Sequence, residues 1–176
     1  FDKDKALIDI ANRRKITYVG LSFVRNTDDI DEAESLIENC EIIVKIETLA
    51  AVRNINKILA KADYFLIDRG DLSSDVGIEN IPRYQNFIID KVNFFQKHVF
   101  IATQLLKNME TKPIPTIAEI EAYYALLKKG VYGFQLSEET AIGEHVKECV
   151  EILGRLDKNV YNEGIDIGSL SIRLVA

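Results

Sequence analysis

The chain has 176 residues, 47% hydrophobic and 28% charged, an ordinary globular composition with enough apolar mass for a real core. A net charge of −6, spread along the chain without a long basic run, speaks against nucleic acid or an anionic membrane as partner. Cys40 and Cys149 lie far apart with no metal-type spacing, which reads as a reduced, cytoplasmic protein with idle thiols, and no apolar run approaches the length of a membrane span.

The opening FDKDKALIDI has no signal-peptide character, and the chain starts at Phe1 rather than Met, so a longer protein is expected. Five apolar segments then read as strands: ITYVGLSF at 16–23, EIIVKI at 41–46, YFLI at 64–67, VFIAT at 99–103 and VYGFQLS at 131–137. Between and after them, apolar residues at spacings of three and four predict helices over 31–38, 51–60, 84–95, 117–128 and 145–156. Strand and helix alternate, the pattern of an α/β protein with a parallel sheet. After Leu156 the pattern stops, and 157–176 reads as a tail or a linker to an absent region.

Two architectures carry repeated βα units, a doubly wound open sheet and a (β/α)8 barrel. The residues that follow the strands decide between them. Ser22 with Arg25, Lys45 with Glu47, Arg69 with Asp71, Thr103 with Gln104, and Ser137 with Glu139 put polar groups at every strand end. A barrel builds its site from the ends of several strands, whereas an open sheet concentrates it at one switch point. The barrel is favoured, but a complete one needs eight strands and only five are present, so 1–156 reads as an incomplete barrel segment.

Glu47 and Asp71 are carboxylates at the ends of successive strands, close enough for both to reach one divalent ion, and oxygen ligands without His or Cys favour Mg²⁺ or Mn²⁺ over zinc. Two solvated acids at a barrel rim are the equal alternative. Lys45, two positions before Glu47, points the same way along the strand, either to hold an anion beside the metal or simply to pair with Glu47. The turn RGDLSSD offers backbone amides for a carboxylate or phosphate, and Thr103 and Ser137 offer hydroxyls for a proton relay or as ordinary strand-end groups. His98 and His145 fall away from the strand ends and read as structural or exposed, and the tyrosines of EAYYALLKKG read as a packed helix face.

Taken in order, LSFVRNTDDI, IIVKIE, RGDL, IATQLL, KPIPTIAE and LSEETAIGE resemble the central barrel of the pyruvate kinase family over 2–156. The resemblance implies the fourth to eighth βα units of a TIM-type barrel and Mg²⁺-dependent phosphoryl transfer between phosphoenolpyruvate and ADP, giving pyruvate and ATP in a cytoplasmic homo-oligomer. It implies Lys45 as the cation that stabilises the phosphoryl group and the enolate, and Glu47 and Asp71 as ligands of Mg²⁺ (or Mn²⁺). The amides of Gly70 and Asp71 would bind the substrate carboxylate, Thr103 would lie near the enol carbon, and Ser137 with Glu139 would belong to proton delivery. Ligands for K⁺ would lie outside this segment.

The sequence departs from the family pattern at Asp68 and Ser73 around RGD, at Glu138 where glycine is usual, at Ile117 in place of an arginine, and at Ala51 in place of a glycine. An inward carboxylate at Asp68 would disturb the metal site. Two other functions remain open: a metal-dependent lyase or aldolase working through a pyruvate enolate, and a non-catalytic barrel remnant kept for ligand sensing or assembly, for which open sheet edges invite association.

Overall fold

The structure, a computed structural model, describes residues 2–162. The chain groups into two compact units whose boundary in sequence lies between His98 and Val99.

In the first unit, β1 (Tyr18–Leu21), β2 (Glu41–Ile46) and β3 (Tyr64–Asp68) run parallel in sequence order. The register aligns Leu21 with Val44 and Lys45 with Leu66. Ile43, Val44 and Ile46 of β2 and Phe65, Leu66 and Ile67 of β3 are buried in near-continuous runs, as expected of strands covered on both faces. At the opposite ends of the strands, the Tyr64 ring stacks on His98 at 5.1 Å and meets Tyr18 edge-on, so His98 is structural as its position suggested.

The helices of this unit depart from the periodicity in instructive ways. α1 (Asp2–Arg14) precedes the first strand and was not anticipated. α2 (Thr27–Glu34) begins four residues before the predicted 31–38, because Asn26 and Asp29 form a capping box: Asn26 accepts from the Asp28 amide at 2.7 Å, and Asp29 accepts from the Asn26 amide at 3.1 Å. The predicted helix 51–60 is two short ones, α3 (Leu49–Arg53) and α4 (Ile55–Leu59), broken at Asn54, whose side-chain amide donates to the Arg25 carbonyl at 2.8 Å. Local apolar spacing cannot register that distant bond. The RGDLSSD stretch, read as a turn, is α5 (Arg69–Val76). α6 (Ile81–Phe94) buries Ile88, Ile89 and Val92, three side chains each contributing about 1.5–3 kcal/mol by leaving water.

In the second unit, β4 (His98–Ala102) pairs in parallel with β5 (Gly133–Gln135), Ile101 opposite Phe134. α7 (Ile117–Lys128) starts with a second capping box, Thr116 with Glu119, and α8 (Glu138–Ala141) and α9 (Val146–Asn162) follow β5. α9 therefore continues beyond Leu156, and the rest of the expected tail, 163–176, lies outside the described residues. Ile117, at the first position of α7, is 79% exposed.

Tyr123 of α7 packs on Phe134 with ring centroids 4.2 Å apart, as a helix face on a strand. Its hydroxyl is buried with no hydrogen-bond partner. An unsatisfied buried hydroxyl costs about 1–3 kcal/mol, so Tyr123→Phe is expected to leave the second unit as stable or to stabilise it by about 1 kcal/mol. Denaturant unfolding checks this; a loss above that size would mean the hydroxyl has a partner. Cys149 of α9 is buried, its thiol pointing to the Glu139 carbonyl at 3.9 Å. Burial, reinforced by the charges of Glu139 and Glu148, pushes that thiol up to about 11.

No helix among the described residues is long and apolar enough to cross a membrane.

Candidate metal and active site

The first unit gathers Lys45, Glu47, Asp68 and Asp71 around the C-terminal ends of β2 and β3. Lys45 and Glu47 are two apart, and a strand's period of two sends both the same way. The β2–β3 register pairs Ile46 with Ile67, so the next step in each chain sets Glu47 beside Asp68. Asp68 closes β3 and is the N-cap of α5, which places Asp71 in the first turn of that helix.

Glu47 is the buried member, 1% exposed. Its Oε1 accepts from the Phe23 amide at 2.5 Å, and Lys45 Nζ lies 2.8 Å from its Oε2. Oε2 is buried, with the Lys45 ammonium as its charged neighbour. Phe23 adopts a left-handed backbone, φ 56°, uncommon for a bulky residue and a local cost of about 1–3 kcal/mol. The conformation accompanies an amide aimed at Glu47.

Lys45 Nζ also lies 3.2 Å from Asp68 Oδ2 and donates to Ser22 Oγ at 3.3 Å. Partial burial works against its ammonium, but the hydrogen bonds and charges of Glu47 and Asp68 outweigh that cost and hold Lys45 above the ordinary lysine range. A lysine kept cationic is suited to binding an anion and stabilising negative charge, not to acting as a base.

Oxygen atoms of Glu47, Asp68 and Asp71 lie within 4.8 Å of one another. Three hard oxygens with no His or Cys suit Mg²⁺ or Mn²⁺, and Glu47 brings a buried carboxylate to the group. The residues therefore fit a divalent ion, and Asp68, whose inward carboxylate was expected to disturb the site, stands within the same acidic cluster. Asp68 Oδ1 also accepts from the Asp71 amide, at a long 3.4 Å. A cleft of about 600 Å³ between α1, β1 and α2 reaches Ser22 and Phe23, beside the acids rather than over them.

The second unit holds the other expected residues. Thr103 follows β4 with φ 67°, and Gln104 with φ 53°, two consecutive left-handed residues of which the β-branched threonine is the more strained. The Thr103 hydroxyl donates to the Ala102 carbonyl at 2.7 Å. The Ser137 amide and hydroxyl donate to Glu139 Oε2 at 3.2 and 3.1 Å, while Glu139 is fully buried and its Oε1 has no hydrogen-bond partner. Glu138 points to solvent, so the bulk introduced there is accommodated; its own backbone amide, with Ser137, holds its carboxyl below the usual range. Gly143 was overlooked in the sequence. A Cβ there would fall 2.3 Å from the Glu139 carbonyl, so only glycine lets the chain close over Glu139.

Residues 1–150 match the family described as "Pyruvate kinase, barrel domain". The chain belongs to the pyruvate kinase family. It is 36% identical over 174 residues to the pyruvate kinase of Thermococcus litoralis, covering 96% of this chain and 37% of that protein. With the pyruvate kinase of Methanocaldococcus jannaschii it shares 35% over 161 residues, 89% of this chain and 36% of the other. The crystal structure of pyruvate kinase from Pyrobaculum aerophilum superposes with a TM-score of 0.82 at 34% identity, over 88% of this chain and 38% of that one. The βα units are thus those of a partial (β/α)8 pyruvate kinase barrel, as the motif order implied. The chain spans little more than a third of the length of these relatives.

Proposed function

We propose that the protein containing this segment transfers a phosphoryl group between phosphoenolpyruvate and ADP, with Mg²⁺ or Mn²⁺ held by Glu47 and Asp71. The observation that carries the reading is the Lys45–Glu47 pair set against two further carboxylates in a chain of this family. A divalent ion there would supply electrophilic stabilisation of phosphoryl and enolate oxygens. Lys45 would hold the transferring group and neutralise charge as it develops.

In the same reading the Gly70 and Asp71 amides, at the start of α5, receive the substrate carboxylate. Thr103 lies against the enol carbon, and the Ser137–Glu139 pair passes the proton. A hydroxyl bonded to a buried carboxylate is a reasonable relay, since the acid both orients the hydroxyl and can take its proton. Nucleotide contacts and any K⁺ site would come from parts of the protein beyond this segment. A homo-oligomeric assembly and a cytoplasmic location belong to the same reading.

The test is an assay of the intact protein with phosphoenolpyruvate, ADP and Mg²⁺, following pyruvate and ATP together. Equal yields of both, dependent on the metal, are expected. In a parallel assay with a panel of longer keto acids and Mg²⁺, pyruvate released by their cleavage would transfer the site to lyase chemistry, and no turnover in either assay would leave a non-catalytic barrel.

A further inference from the structure

We propose that Asp68 sets the ligand preference of this site, serving as a third oxygen ligand for the divalent cation while disfavouring an anionic second ligand. The inference rests on the reading of Glu47 and Asp71 as metal ligands and concerns a residue that is this chain's own departure from the family motif.

Three observations carry it. Asp68 is not a rim acid turned to water: its side chain is 13% exposed, and one of its oxygens falls within 4.8 Å of those of Glu47 and Asp71. Glu47 is buried and contributes an oxygen to the same cluster, and the Lys45 ammonium 2.8 Å from its Oε2 is a cation already held among these acids. Finally, the two oxygens of Asp68 already lie against Lys45 Nζ, at 3.2 Å, and the Asp71 amide, at 3.4 Å. Those are the two kinds of donor, an ammonium and a helix N-terminal amide, that an incoming carboxylate would use.

Charge gives the consequence its sign. Three carboxylates against one ammonium leave the cluster two negative charges, which a dication cancels. With Asp68 neutral, the same loaded cluster would carry one positive charge and attract an anion. Asp68 thus strengthens cation binding and weakens anion binding at once, because its charge acts on both and its oxygens occupy the anion's donors.

The experiment uses the intact protein, with Mn²⁺ as metal probe read by electron paramagnetic resonance and oxalate as anionic probe titrated into the Mn²⁺-loaded form. Asp68→Asn and Asp68→Ser both remove the charge and keep a good N-cap for α5, so that loss of the cap is not mistaken for loss of a ligand. Circular dichroism identifies which variant is folded, and either one suffices. The expected result is Mn²⁺ binding weakened about tenfold or more, with oxalate binding to the loaded form tightened about tenfold. Unchanged Mn²⁺ affinity, or oxalate affinity that stays level or falls with that of the metal, would overturn the proposal, as would absence of Mn²⁺ binding in the unsubstituted protein. Opposite shifts of the two probes in a protein that makes no ATP would retain the role of Asp68 and remove only the phosphotransfer reading.

Discussion

In the intact protein, Lys45→Met should lower phosphoryl transfer from phosphoenolpyruvate by about three orders of magnitude or more, in line with loss of a cation that stabilises transition-state charge. The methionine keeps most of the apolar stem and removes only the ammonium, so the loss should appear in kcat rather than in KM alone. A stability cost accompanies it. Glu47 is buried, and Lys45 is the cation 2.8 Å from its Oε2. Breaking a buried pair from one side leaves an uncompensated charge, typically about 3–5 kcal/mol, tempered here by the Phe23 amide that remains on Oε1. Thermal unfolding and steady-state rates on the same preparation separate the two effects. An unchanged rate in a folded variant would end the assignment of Lys45.

Glu47→Gln is expected to act differently. The glutamine oxygen can still accept from the Phe23 amide, and Lys45 retains Asp68 at 3.2 Å, so stability should change by no more than about 1 kcal/mol. The site loses one of its acid charges, however, and the Mg²⁺ concentration for half-maximal rate should rise by about 10- to 100-fold. A metal titration of the rate reads this directly. If the half-activating concentration stays put, Glu47 is a structural acid that locks the β1 end to β2, and the metal lies elsewhere.

These two residues were also the most legible part of the site. Lys45 and Glu47 interrupt an apolar run at a spacing of two, so their shared direction follows from strand geometry alone. Asp71 was visible by its place after the next strand, and the barrel by the polar residues that close every strand. What escaped had no side-chain pattern to show it. The Phe23 amide is a backbone group, and its aim at Glu47 depends on a left-handed residue that a bulky aromatic rarely adopts.

Asp68 could be seen as an anomaly in the motif, but its position between Lys45 and the Asp71 amide requires both the β2–β3 register and the start of α5. The helix errors share that cause. Asn54 breaks a periodic stretch through a bond to Arg25, 29 residues away, and no local window contains both. The early start of α2 was different: Asn26 and Asp29 spell a capping box, which apolar spacing alone overlooks.

Cys149 gives the second unit a clock. A thiol that is buried and held protonated presents almost no thiolate to an alkylating reagent while α9 is in place. Its modification must therefore wait for α9 to lift from the backbone of Glu139, to which the sulfur points. Cys40, partly exposed in the first unit, offers an internal standard for the reagent. The ratio of the two labelling rates reports how often the segment around the Ser137–Glu139 pair opens, and at what concentration of a ligand it stops opening.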